Sequence, residues 1–103
     1  MRYTSAVVDL PSESVAQYCR REGIRRLAVF GSHLHGTATA DSDIDLLIEF
    51  EPGRSIGLLT LARLTRELSL IVGRPVDLRT LEDLSRYFRD RVAGEARVIY
   101  EAA

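Results

Sequence analysis

In residues 43–50, DIDLLIEF, one set of alternate positions is wholly apolar and the other carries three carboxylates and Leu47. Side chains of a β-strand point to opposite faces with a period of two residues. The alternation therefore predicts a strand with one face toward a core and one face that carries acidic groups. The acidic face would hold Asp43, Asp45, Leu47 and Glu49, and the core face would hold Ile44, Leu46, Ile48 and Phe50.

The rest of the chain divides into segments with helical spacing and short apolar runs. Apolar residues three and four positions apart predict helices, and runs rich in β-branched and aromatic residues predict strands. The last segment, residues 97–100, is open between a strand and a helix extension. The patterns predict helices over residues 12–22, 56–72 and 81–93, and strands over residues 25–30, 43–50 and 75–79. Core positions would be Leu58, Leu61, Leu64, Leu68 and Ile71 or Val72 in the second long helix, and Leu81, Leu84, Phe88 and Val92 in the third.

The order of these elements predicts an α+β fold, with a small mixed β-sheet and helices packed on it. A helix joins strands 43–50 and 75–79, which favours parallel pairing between them. A loop of twelve residues joins strands 25–30 and 43–50, which is compatible with antiparallel pairing. A length of 103 residues indicates one domain, residues 1–103, with one core.

Composition excludes several classes of protein. The net charge of -1, from 14 basic and 15 acidic residues, argues against bulk binding of nucleic acid. The single cysteine, Cys19, excludes an internal disulfide. No apolar run approaches the ~20 residues of a membrane span, and the N-terminus lacks the apolar centre of a signal peptide. A cytoplasmic protein that does not bind membranes is therefore expected.

Asp43 and Asp45 need a physical reason to stand two positions apart on one face of a strand. Carboxylates held this close repel each other, and a bound divalent cation removes that cost. Magnesium favours carboxylate oxygens and keeps positions open for water and phosphate. Asp77 lies in the next predicted strand and would join the pair if the two strands are neighbours. It would then be a third ligand, or the base that takes a proton from an attacking hydroxyl.

Gly31-Ser32 lies where the first predicted strand ends. Glycine lets the backbone approach a phosphate closely, and N–H groups at such a turn can bind an anion. Gly-Ser or Asp-x-Asp alone is weak, because turns and solvated edge carboxylates are common. Together with Asp77 they favour a site for metal and nucleotide.

Gly31-Ser32, a spacer of ten residues and Asp43-x-Asp45 resemble the motif of the DNA polymerase beta-like nucleotidyltransferase superfamily. Within it, "GTATADSDIDLLIEF", "GRPVDLRTLEDL" and "ARVIYEA" resemble the minimal nucleotidyltransferases, the antitoxins of HEPN/MNT pairs. The resemblance implies a nucleotidyltransferase fold and transfer of AMP from ATP to a tyrosine of a HEPN-domain toxin. Two Mg²⁺ ions would assist that transfer.

The resemblance also implies roles for individual residues. Gly31 and Ser32 match the nucleotide-phosphate loop, and Ser42 is taken with them as nucleotide-binding. The carboxylates would be metal ligands and catalytic groups: Asp43, Asp45 and Asp77.

The chain departs from the family at His33 and His35, where arginines often stand. Neutral histidine is a poorer phosphate partner than arginine, so weaker nucleotide binding is expected. A zinc site at these histidines is disfavoured, because two further ligands are missing.

Two functions remain open. The first is an enzyme that transfers AMP to a partner protein, and the second is an antitoxin that neutralises its partner by binding alone. A small-molecule acceptor is disfavoured, since a chain of this length leaves little room for a dedicated pocket. Self-association and assembly with a partner subunit are both compatible with the sequence.

Overall fold

A mixed four-stranded β-sheet organises the chain in this computed structural model, which describes residues 3–4, 9–31, 43–54, 56–84 and 86–102. Two strands of two residues each form a separate antiparallel pair that the sequence patterns do not predict. The strands are β1 (Tyr3–Thr4), β2 (Asp9–Leu10), β3 (Ile24–Phe30), β4 (Ile44–Phe50), β5 (Val76–Arg79) and β6 (Arg97–Glu101). The helices are α1 (Ser12–Glu22), α2 (Leu58–Val72), a 3-10 helix (Leu81–Asp83) and α3 (Arg86–Glu95).

The strand order of the main sheet is β5-β4-β3-β6. β4 pairs parallel with β5, as the helix between them predicts, and antiparallel with β3, with which the loop between them is compatible. The chain's last segment is a strand rather than a helix extension, and it pairs antiparallel with β3. The α+β class and the mixed sheet are therefore confirmed.

The core lies between the sheet and the helices α1 and α2. The predicted apolar face of β4 is buried at Ile44, Leu46 and Ile48, which join one cluster with residues of both helices. Leu64 and Leu68 of α2 are fully buried, as their helical spacing predicts. None of the described helices combines the length and apolar character that a membrane crossing requires.

One predicted core residue, Leu58, is 85% exposed. At 3.6 residues per turn, it lies about 100° around the helix from the midpoint of Leu64 and Leu68. It is also the first residue of α2, after the extended Gly57. The prediction that Leu58 faces the core, and that the helix begins at residue 56, is wrong for these two reasons.

The predicted helix over residues 81–93 is interrupted. Thr80 and Asp83 form a reciprocal capping box around the 3-10 helix, and Leu84 then takes an extended conformation. The capping box stabilises the start of this short helix, and the extended backbone of Leu84 ends it before α3 begins at Arg86. Leu81, Leu84 and Val92 are half-buried, and the side chain of Phe88 lies outside those described.

A polar network fixes α1 on α2. The Tyr18 hydroxyl donates to Glu67 at 2.7 Å, and Arg63 donates to both Glu67 and Glu22 at 2.9 Å. Burial and the Glu67 carboxylate raise the pKa of Tyr18, so it stays a neutral donor. The hydrogen bond from Arg63 lowers the pKa of Glu22, although partial burial opposes that effect.

Candidate active site

β3 ends beside the first acidic residue of β4. Phe30 is the strand partner of Asp45, and Gly31 follows with a φ of +75°. A Cβ atom at Gly31 would overlap the Asp45 carboxylate, with its Cγ only 2.9 Å away. Position 31 therefore needs glycine both for its left-handed backbone and for the space that Asp45 occupies.

Asp45 and Asp77 are direct partners in the parallel ladder of β4 and β5. Neighbouring strands lie roughly 4.8 Å apart, and paired positions present their side chains to the same face of the sheet. Both residues are half-buried. The sheet register therefore brings together two carboxylates that are 32 positions apart in the sequence.

Arg79 holds Asp77 through both carboxylate oxygens. Its Nε donates to Oδ1 at 3.1 Å and its second guanidinium nitrogen donates to Oδ2 at 3.2 Å. The hydrogen bond to Asp77 raises the pKa of Arg79, and Asp83 and Asp45 act in the same direction. The guanidinium is thus the cation in contact with Asp77 and belongs to the electrostatics of the site.

Asp43 lies one residue before β4 and is exposed. Within residues 9–31, 43–54, 56–84 and 86–102, no three His, Cys, Asp or Glu side chains are grouped so that they could hold a metal ion. Magnesium needs only one or two carboxylates when phosphates and water complete its shell. The donor chemistry of Asp43 and Asp45 therefore fits such an ion, whereas Arg79 engages Asp77.

Four residues singled out in the sequence lie outside the described residues: Ser32, His33, His35 and Ser42. Their parts in nucleotide binding stay predictions, as do the roles of the three aspartates. Sequence reasoning missed Arg79. The signal was present, because residues two apart on the strand VDLR share a face and an arginine can pair with an aspartate there.

A cleft of about 460 Å³ lies at the opposite ends of β4 and β5. Its position is roughly 10 Å along β4 from Asp45, at about 3.3 Å per residue. It is separate from Asp45 and Asp77. Its walls include Ile48, Phe50, Arg54, Ile56, Thr80 and Leu81.

Comparison with known proteins decides the family. The model of the family described as "Nucleotidyltransferase domain" matches residues 12–100 of this chain. The chain belongs to the nucleotidyltransferase domain family. The predicted family, its fold and the transferase class are thereby confirmed.

Similar proteins agree with this family. A Methanocaldococcus jannaschii protein, provisionally named a protein adenylyltransferase, is 38% identical over 74% of this chain and 80% of the relative. A solved structure provisionally called a minimal nucleotidyltransferase is 42% identical, with a TM-score of 0.67 over 82% of this chain and 85% of that one.

A toxin–antitoxin crystal structure with AMP-PNP shares the fold at a TM-score of 0.72. The two sequences are 20% identical, and the matched region covers 90% of this chain and 75% of the chain in that structure. At this identity the similarity supports the nucleotidyltransferase fold alone.

Proposed function

We propose that this nucleotidyltransferase moves AMP from ATP onto a tyrosine hydroxyl of a cognate HEPN-type toxin and thereby neutralises it, in a reaction that depends on Mg²⁺. The observation that carries the proposal is the register of Asp45 with Asp77 on adjacent parallel strands, beside a glycine that leaves room for the Asp45 carboxylate. The stability of the sheet gives no reason to place two carboxylates in register, because like charges on neighbouring strands destabilise a sheet.

Each carboxylate has a proposed role. Asp43 and Asp45 would hold two Mg²⁺ ions, which when bound neutralise phosphate charge and lower the pKa of the acceptor hydroxyl. Asp77 is suited to accept the proton of that hydroxyl, or to act as a third ligand, once Arg79 no longer engages both of its oxygens.

The end of β3 would orient the nucleotide. Gly31 lets the backbone come close to a phosphate, and N–H groups at this turn are suited to anions. Ser32 and Ser42 are the proposed hydroxyl donors. These contacts would place the α-phosphate in line with the acceptor, so that catalysis rests on positioning and charge stabilisation.

The choice of a protein acceptor rests on the relatives. The name of the Methanocaldococcus jannaschii protein states transfer of adenylyl groups to protein, and this chain spans 80% of its length. The toxin–antitoxin complex contains an ATP analogue, which is compatible with ATP as the substrate. The HEPN type of the partner follows from the sequence resemblance.

The test is transfer of radiolabel from α-labelled ATP to a purified HEPN-type toxin in the presence of Mg²⁺. We expect label on a toxin tyrosine with the wild-type chain, and none with Asp43→Ala/Asp45→Ala or without Mg²⁺. Mass spectrometry of the toxin identifies the modified residue. Wild-type protein that leaves a cognate toxin unlabelled, while still neutralising it, would rule out the enzymatic proposal.

Neutralisation by binding alone is the second candidate. It is favoured by the engagement of Asp77 with Arg79 and by the histidines at positions 33 and 35. The double aspartate variant separates the two functions in the same experiment. Full protection from the toxin by Asp43→Ala/Asp45→Ala would establish binding as sufficient, whereas lost protection with retained complex formation would establish catalysis.

A further inference from the structure

Arg79 pairs with a carboxylate, Asp77, that is proposed to bind a metal ion. The sequence resemblance implies that Asp77 acts together with Asp45 and Asp43, yet the described residues contain no group of three carboxylates arranged to hold a metal ion. The structure places Asp77 next to Asp45 in the ladder, but both of its oxygens accept from one guanidinium.

In this pair the guanidinium of Arg79 takes the place beside Asp77 that a metal ion would take. Asp77 and Arg79 are two apart on β5, so the same strand that carries the carboxylate also carries its partner. A planar guanidinium occupies both oxygens of a carboxylate, which a lysine ammonium does not do. As long as the fork is intact, the oxygens that a metal ion would take are in use.

The pair is also easily exchanged. The side chains of Arg79 and Asp77 are 49% and 38% exposed, so water competes for both. Exposed ion pairs contribute little net stability, and a divalent cation at the same carboxylate carries twice the charge. Replacement of the guanidinium by a metal ion therefore costs little free energy, and the sheet need not rearrange.

We propose that Arg79 is an internal counter-cation that keeps Asp77 paired until a divalent cation displaces it, so that the third carboxylate joins the metal site only on loading. Arg79 is a positioning residue in this scheme, because it acts through Asp77. The inference rests on the proposed function only insofar as Asp43 and Asp45 bind a divalent cation.

The test is a titration of the nucleotide-free protein with Mn²⁺. Binding is measured by the loss of the electron paramagnetic resonance signal of the free ion. Arg79→Gln is expected to tighten Mn²⁺ binding about two- to fivefold, the range expected when a competing exposed ion pair is removed. Arg79→Lys should fall between wild type and Arg79→Gln, since it keeps the charge but not the fork.

A double-mutant cycle distinguishes competition for Asp77 from general loss of positive charge. In an Asp77→Asn background, Arg79→Gln should leave Mn²⁺ affinity unchanged within about 1.5-fold. Arg91→Gln is the matched control, because it removes another exposed arginine from an ion pair, with Glu95, on a different element. It should bind Mn²⁺ as wild type does.

The outcomes separate this inference from the proposed function. If Asp45→Asn binds Mn²⁺ as well as wild type, the metal site itself is wrong. If Asp45→Asn weakens binding but Arg79→Gln does not tighten it, or tightens it equally in the Asp77→Asn background, only the role of Arg79 is overturned. Thermal unfolding of each variant checks that the protein is folded.

Discussion

Gly31 leaves the space that the carboxylate of Asp45 occupies. Gly31 directly follows β3, and Asp45 lies near the beginning of β4, the antiparallel neighbour of β3. This contact links the turn that is proposed to hold phosphate to the carboxylate that is proposed to hold metal, and it restricts position 31 to glycine.

Gly31→Ala should therefore lower both stability and activity. The added methyl group must displace the Asp45 carboxylate, and alanine at a φ of +75° adds about 1–2 kcal/mol of backbone strain. Urea unfolding and AMP transfer measure the two effects.

Gly73→Ala is the control for Gly31→Ala. Gly73 has a φ of +78°, and a methyl group added there would meet no atom within 4 Å beyond its neighbours in the chain. This variant should lose similar stability from strain but keep its activity. Equal loss of activity in both variants would contradict the role of the contact between Gly31 and Asp45.

Asp45→Asn should abolish transfer and leave the fold intact. The amide keeps the size of the side chain but removes the charge that a divalent cation requires, so a loss of at least about 100-fold in rate is expected. Stability should stay within about 0.5 kcal/mol of wild type or rise slightly, because repulsion with Asp77 is relieved. Circular dichroism and labelled-ATP transfer measure the two properties.

Glu49→Gln is the control for Asp45→Asn. Glu49 lies on the same strand and pairs with Arg26, away from Asp77. Its variant should retain transfer. An unfolded Asp45→Asn protein would show that this carboxylate has a structural role instead.

Glu22 should make folding stability sensitive to acid. Its folded-state pKa lies below the ordinary value of 4.5 because Arg63 donates to it. The unfolded chain therefore binds the proton more readily, and the stabilisation is present at neutral pH but lost as the pH falls below about 4.5. Because Arg63 is partly exposed, we expect the pair to contribute only about 0.5–1 kcal/mol to the free energy of unfolding.

Urea unfolding of wild type and Glu22→Gln at pH 7 and pH 3 measures this contribution, because urea is uncharged and does not screen the ion pair. The variant should be less stable at pH 7, and the difference should shrink at pH 3. The exposed Glu51→Gln should show no such difference at either pH. A stability gap for Glu22→Gln that does not narrow in acid would exclude a contribution from charge.

Leu68 and Leu70 provide a test of which face of α2 is the core. Leu68 is fully buried and Leu70 is 77% exposed, although they are two residues apart. Leu68→Ala should cost about 2–5 kcal/mol, because it leaves a cavity among packed side chains. Leu70→Ala should change stability by less than about 0.5 kcal/mol. Comparable losses in the two variants would mean that the outer face of α2 is also buried in solution.

The periodic elements can be predicted from the sequence because a single physical rule determines each. The pattern over residues 12–22 predicts the first helix, and these residues form α1, which ends at Gly23 in the left-handed conformation. The alternation over residues 43–50 identifies the buried face of β4. The helix between β4 and β5 predicts their parallel pairing, and that pairing places Asp45 beside Asp77.

What the sequence does not predict depends on contacts that periodicity does not encode. The break comes where Leu84 takes an extended conformation, and the spacing of apolar residues across the segment gives no sign of it. The pairing of β1 with β2 involves strands too short to show an alternation. The hydrogen bonds between Arg79 and Asp77 depend on both carboxylate oxygens facing the guanidinium rather than a cation site.

The parallel ladder between β4 and β5 has a consequence for how this domain can change over time. Because Ile44 pairs with Val76 and Asp45 with Asp77, the positions of the two aspartates are set by backbone hydrogen bonds between the strands rather than by the connecting segments. Insertions and deletions in those segments leave the two aspartates in place as long as the strands keep their register. The two carboxylates can therefore stay side by side in a relative whose connecting segments differ in length from those of this chain.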